Sequence, residues 1–186
     1  MFINKIFRKI LIIFFLSFSW TQEYSLSFDG IDDYVIFPNG IIPSSGDVSI
    51  QVWGFIGQYT DINNGYANLI TQGDEQNAYF LGYENDNQMR LNHEWSNIGV
   101  AFPLSTWTCI TIVKNDSGTK MYLNSELVGA NITTMLPGDN PLYFGVQYNG
   151  SSEFWNGILD KITIWNKALN DEEVEYFMNN FVSGDE

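Results

Sequence analysis

His93 is the sole histidine of the 186-residue chain. No serine or cysteine near it in sequence makes a nucleophile–base pair, so it reads as a structural polar residue and not a general base. Cys109, the sole cysteine, sits inside Trp107-Thr108-Cys109-Ile110-Thr111-Ile112-Val113. It is expected to be a small buried hydrophobe, and no internal disulfide can form. What is left for chemistry is a set of aromatics in or beside turn-rich segments: Tyr59, Tyr66, Trp95, Tyr148 and Trp155. Asn63, Asn64, Asn97 and Asn149 are their polar companions. Aromatic faces stack on the apolar patches of sugar rings while polar side chains grip hydroxyls, so these five aromatics are the expected ligand-binding residues. Aromatics at the rim of a β-sandwich also half-bury with no ligand, and each residue taken singly has that alternative.

Residues of these types need a rigid frame. Hydrophobic residues make up 45% of the chain and aromatics 16%, too apolar for a disordered segment. The length suits one domain with a sizeable core. Short runs rich in aromatic and β-branched residues alternate with turns. The expected strands are 24–28, 33–37, 48–56, 67–71, 78–83, 89–93, 107–114, 120–123, 142–146 and 158–165. In the third, Val48, Ile50 and Val52 share one face, and Trp53 and Phe55 the other. Turn residues such as Asp61-Ile62-Asn63-Asn64-Gly65 and Asn115-Asp116-Ser117-Gly118 separate the runs. The pattern is that of an antiparallel β-sandwich. One helix is expected near the end. Asn170 caps it, Glu173 closes a capping box, and Val174, Phe177, Met178 and Phe181 form one apolar stripe that packs on the sandwich edge.

The first residues have a different character. Lys5, Arg8 and Lys9 precede the apolar run Ile10–Leu16, and small residues follow at Ser17 and Ser19. This is the plan of a secretory signal peptide, taken as residues 1–21. The domain is then 22–182 and the tail 183–186. A secreted, extracytoplasmic or cell-surface protein is expected, with no stable membrane span in the mature chain. The formal net charge is −14, and the leader carries three of the eight basic residues, so the mature chain is more acidic still. Such a surface repels nucleic acid and anionic lipid and suits cations, although solubility alone also explains it. Asn115, Asn131 and Asn149 each begin a formal glycosylation sequon.

Three segments in order carry a family likeness. Ser27-Phe28-Asp29-Gly30-Ile31-Asp32-Asp33-Tyr34-Val35 opens the domain. Trp107 to Gly129 forms a strand pair and hairpin, with Asn124-Ser125 at its turn. Gly157-Ile158-Leu159-Asp160-Lys161-Ile162-Thr163-Ile164-Trp165-Asn166-Lys167-Ala168-Leu169 closes it. Together they resemble the laminin-G-like, concanavalin A-type jelly-roll family over nearly the whole mature chain. One departure is Asn124-Ser125, where the family has Asn-Gly or Asp-Gly; a turn of another type is expected there.

The resemblance implies an all-β jelly roll with one short C-terminal helix. It also implies one structural Ca2+ between the first turn and the final strand, at Asp29, Gly30 and Asp160, with Asp32 and Asp33 as further oxygen donors. The alternative is that Asp29 merely caps its own turn. Glucanases of this fold use a Glu-x-Asp-x-x-Glu strand motif. The nearest segment here, Glu84-Asn85-Asp86-Asn87-Gln88-Met89, lacks the final Glu, and Asp86-Asn87 reads as a turn. The expected function is therefore a non-catalytic binding module for a glycan or an extracellular protein, most simply carbohydrate-binding or adhesive. A structural or protein-interaction cell-surface domain without a sugar site is the alternative, and a divergent glycoside hydrolase the third reading.

Overall fold

A computed structural model describes residues 24–60, 65–75, 78–91, 96–132 and 137–180. The expectations for the signal peptide, the tail, His93, Trp95, Asn63, Asn64 and Phe181 lie outside the described residues.

Twelve strands run in the order β1 (Leu26–Asp29), β2 (Val35–Phe37), β3 (Val48–Phe55), β4 (Ala67–Gly73), β5 (Ala78–Tyr83), β6 (Gln88–Leu91), β7 (Ser96–Ala101), β8 (Thr108–Asn115), β9 (Gly118–Leu123), β10 (Glu126–Ile132), β11 (Leu142–Phe144) and β12 (Asn156–Trp165), before helix α1 (Asp171–Asn179). They form two six-stranded antiparallel sheets. One is ordered β1-β12-β3-β8-β9-β10, the other β2-β11-β4-β5-β6-β7. The expected sandwich is what forms. The reason is the period-2 pattern: alternate residues of each strand reach the space between the sheets. Val48, Ile50 and Val52 lie there as expected, with Ile110, Ile112, Met121, Leu81, Tyr83 and Leu91.

Two strands escape the alternation rule. β7 contains Gly99 at φ 76°, and β10 is irregular in register around Gly129. Bulges and glycines break the period that reveals a strand. The turn at Asn124-Ser125 is also a correction. Both residues have positive φ, 49° and 65°, which is the type I′ geometry the family reaches with glycine. Asn124 compensates through its side chain: its Oδ1 accepts from the Cys109 N–H at 2.9 Å, while its own N–H donates to the Cys109 carbonyl.

Helix α1 begins as expected. Asn170 accepts from the Glu173 N–H at 2.9 Å, and Glu173 accepts from the Asn170 N–H at 3.0 Å. Its position differs from the expectation. Val174 and Phe177 pack with Val113, Tyr122, Trp165 and Leu169 in a second apolar cluster, so α1 covers the outer face of the first sheet and not its edge. Among the described residues no helix is long and apolar enough to cross a membrane.

Candidate functional site

With α1 on the outer face of the first sheet, the corresponding face of the second sheet carries the polar and aromatic residues. Its register sets two rows of side chains. Asn68 pairs with Gly82, Gly82 with Arg90, and Arg90 with Asn97, across β4 to β7. Ile36, Tyr143, Thr71 and Phe80 form a second row across β2, β11, β4 and β5. Directly opposed residues share a face. The neighbouring residues Leu81, Tyr83, Met89 and Leu91 belong to the core, so both rows point outward.

Gly82 has no room for a side chain between Asn68 and Arg90. A side chain there would meet the Ala67 carbonyl oxygen at 2.0 Å, because β4 is irregular between Asn68 and Ile70 and crowds β5. The segment 145–155, joining β11 to β12, lies against this face. Its hold on β4 is explicit: the Gly145 N–H donates to Leu69, the Thr71 hydroxyl to Val146, and the Asn68 N–H to Glu153. Tyr148 stacks edge-on against Phe80 with centroids 5.9 Å apart, and Tyr34 tilts against Tyr143 at the same separation.

Glu153 is the hub of the face. Its carboxylate accepts from Asn68 Nδ2 and from Gln147 Nε2 at 3.0 Å. Its backbone is in the left-handed region, φ 57°, which is uncommon for a residue with a β-carbon. Burial pushes its carboxyl above the ordinary range, the hydrogen bond from Asn68 works against that, and the charge of Glu84 adds to it. Glu84 is held by Arg90, whose Nη2 lies 2.6 Å from Oε2. The same guanidinium reaches Asp86 at 2.7 Å. For Asp86, burial works upward, but the bond from Arg90 and that guanidinium's charge prevail and hold the carboxyl low. Only 7% of the Arg90 side chain is exposed, so this cation is fully spent inside the protein.

Two of the five expected aromatics meet here. The Tyr66 hydroxyl bonds Glu84, which raises the phenol; burial and the charges of Glu84 and Glu153 raise it further. Tyr148 is raised by burial and then by Glu75, Glu153 and Asp74. Both rings therefore sense the one carboxylate of Glu153. Trp155 and Tyr59 do not join them. Trp155 is wholly buried, packed on Tyr83 and Phe102, so its expectation as a stacking platform is corrected: the ring fills the core. Tyr59 is half-buried, its ring edge-on to Tyr83 and its hydroxyl donating to the Phe102 carbonyl.

The residues expected for calcium do not converge. Asp29 pairs with Asn156 on β12, and Asp160 lies four residues further along that strand, about 13 Å away at ~3.3 Å per residue. The Asp160 carboxylate accepts from the Lys161 N–H. Asp29 caps its own turn through the Ile31 and Asp32 N–H groups, with Gly30 at φ 79°. Asp29, Asp32 and Asp33 do bring ligand atoms within 4.8 Å of one another, all exposed. The three-residue set Asp29, Gly30 and Asp160 is thus too spread for one ion.

Sequence reading passed over Glu153, Asn68, Gln147 and Arg90. One signal was present: Arg90 is the only basic residue between Lys9 and Lys114, with Glu84 and Asp86 six and four positions before it. The turn at Asp86-Asn87 is as expected, with Asn87 at φ 63°.

The chain belongs to the concanavalin A-like lectin/glucanases superfamily, whose laminin-G-type family model matches residues 29–175. No curated protein sequence matches it. Among solved structures it is similar to domain 4 of AbnA, an extracellular GH43 arabinanase of Geobacillus stearothermophilus, in complex with arabinotriose. That likeness has 17% identity and TM-score 0.61, and covers 78% of this chain and 72% of that one. The heptameric SAP-like pentraxin of Limulus polyphemus is similar at 15% identity and TM-score 0.62, covering 84% and 82%. The sialidase of Trypanosoma rangeli, in complex with a difluorinated ketodeoxynononic acid, gives 15% and 0.66 over 83% of this chain. The match spans only 27% of that enzyme's chain. At these identities the likeness concerns the fold.

Proposed function

We propose that this chain is an exported, non-catalytic carbohydrate-binding or adhesion module, and that the outer face of the second sheet under segment 145–155 is its glycan site. One observation carries the reading: segment 145–155 sets the Tyr148 ring edge-on to Phe80 and ties Glu153 to Asn68 on the same outer face. Aromatic rings beside fixed amides and carboxylates are what sugar recognition uses. The arabinotriose in the arabinanase-domain structure supports the class of ligand by analogy of fold. A glycan array probed with the folded protein tests the reading. Binding to a defined set of glycans is expected, weakened about tenfold by Tyr148→Ala, a loss of ~1.4 kcal/mol. No enrichment on any glycan, or binding indifferent to Tyr66→Ala and Tyr148→Ala together, overturns it.

A glycosidase reading draws on Glu84 and Glu153, two carboxylates in different environments. Against it, Glu84 is tied to Arg90 and Tyr66, and Glu153 to Asn68 and Gln147, which leaves neither poised as a nucleophile. Release of reducing sugar from any glycan bound on the array, abolished by Glu153→Gln, would establish it.

A further inference from the structure

Helix α1 covers only part of the outer face of the first sheet, packing on Val113, Tyr122 and Trp165. Toward the other end of that sheet the face is open. There Ser27 on β1, Ile158 on β12 and Phe55 on β3 stand directly opposite one another. Their strand neighbours Phe28 and Leu159 belong to the core, so this row points outward. Trp107, just before β8, extends it. Its ring lies 5.7 Å from that of Phe55, centroid to centroid, and the residue is 41% exposed. With neighbouring strands about 4.8 Å apart, the row from Ser27 to Trp107 runs roughly 14 Å.

Beside the row is a groove of about 420 Å³, lined by Ser27, Phe55, Gln58, Asn156, Gly157 and Ile158. Local geometry sets its polar end. The Asp29-Gly30 turn holds Gly30 at φ 79°, and its bare α-carbon lies against the Asn156 side chain. A β-carbon on Gly30 would come within 2.9 Å of the Asn156 β-carbon and push the amide aside. The side chains of Ser27, Gln58 and Asn156 have no hydrogen-bond partner among the described residues. The hydroxyl and both amides each offer donors and acceptors. Among the described residues, none that line the groove is ionisable.

That inventory selects a ligand. A charged group would lose water in the groove and meet no counter-charge. A purely apolar group would use the rings and leave the amides without partners. A neutral sugar ring uses both, with an apolar face for the aromatics and hydroxyls that donate and accept at its edge.

We propose that this groove is a second binding site, for neutral sugar residues, which stack on Phe55 and Trp107 and bond Ser27, Gln58 and Asn156 through their hydroxyls. It lies on the opposite outer face of the sandwich from segment 145–155. It shares no residue with the site there and does not rest on the reading of that face.

Isothermal titration of the folded protein with neutral oligomers of glucose, mannose, xylose and galactose tests this, at low and at high salt. At least one is expected to bind, with an affinity that salt leaves unchanged, since no charge takes part. Trp107→Ala is expected to weaken that binding at least about tenfold, and Gln58→Ala about threefold, each at unchanged circular dichroism. Neither side chain belongs to the core, so both variants keep the fold. Weakening by these two variants and not by Tyr148→Ala supports the groove and counts against the face under segment 145–155. Weakening by Tyr148→Ala, with Trp107→Ala and Gln58→Ala at parental affinity, overturns the groove and leaves that face standing. Binding of none of the four oligomers overturns the groove. Sugar-free self-association in sedimentation, abolished by Trp107→Ala, also overturns it, by giving the row to a second copy of the chain.

Discussion

Asn68 holds Glu153 twice: its backbone N–H donates to the Glu153 carbonyl at 2.9 Å and its side-chain amide donates to the Glu153 carboxylate. One buried residue of a central strand thereby fixes both the path of segment 145–155 and the rotamer of the residue at its centre. The left-handed backbone of Glu153 is stable because this double tie leaves it no alternative.

Replacing Asn68 by Ala removes the carboxylate's buried donor and keeps the backbone tie. A loss of about 1–3 kcal/mol in urea unfolding is expected, the range for a buried polar partner. The Glu153 carboxyl then titrates higher than in the parent, since the Asn68 bond that lowers it is gone. Carboxyl-selective NMR titration reads that change directly, and a downward move contradicts the assignment.

Acid sensitivity has two opposed sources. The Tyr122 hydroxyl and Lys120 hold the Asp171 carboxyl below its ordinary value of 3.8, and Lys167 with the Asn170 N–H holds Glu173 below 4.5. A carboxylate lowered in the folded state gives stability that is present above its unfolded value and lost as pH falls through its folded one. Glu153 is raised, so the stability from its protonated form is full below 4.5 and lost as pH rises through its folded value. Melting temperature against pH should therefore fall on acidification below 3.8. Asp171→Asn flattens that limb, and Glu153→Gln flattens the decline above 4.5. An unchanged acid limb in Asp171→Asn removes this account.

The hairpin between β9 and β10 carries a removable strain. Ser125 sits at φ 65° with no side-chain bond that accounts for it, unlike Asn124. Ser125→Gly should stabilise the domain by about 0.5–1 kcal/mol, because glycine adopts this region without the β-carbon clash and type I′ turns favour it at this place. Chemical denaturation midpoints check it.

Tyr79 presents the converse case. Its ring is in the core, its hydroxyl has no partner, and burial raises the phenol far above its ordinary range. Tyr79→Phe deletes an unsatisfied buried donor without changing the ring. The variant is expected to be at least as stable as the parent, by up to about 1–3 kcal/mol, and a clear loss would show a partner for the hydroxyl.

Much of this was legible in advance. Alternation and turn residues announced ten of the strands, and the capping box placed α1, because both signals are local. The candidate face was less legible. Tyr66 and Tyr148 stood out as aromatics beside turns, but so did Trp155, and only packing shows that this ring faces inward. Glu153 had no local signature, since its role comes from β4, β5 and β6 arriving beneath it. The separation of Asp29 from Asp160 was hidden for a similar reason: they lie in adjacent strands, and register decides that they stand about 13 Å apart.

The pairing of β1 with β12 sets the order in which the chain can fold. Leu26 faces Leu159, and β3 is flanked by β8 and β12, so the first sheet stays incomplete until the final strand is present. Contacts this distant in sequence are slow to form, because a long loop must close before any of them is made. Synthesis from the amino end therefore yields a chain whose first sheet lacks β12 and leaves β1 without its partner strand until residue 165 has emerged. Folding is an event of the completed domain, and a chaperone has the whole length of its synthesis in which to hold it unfolded.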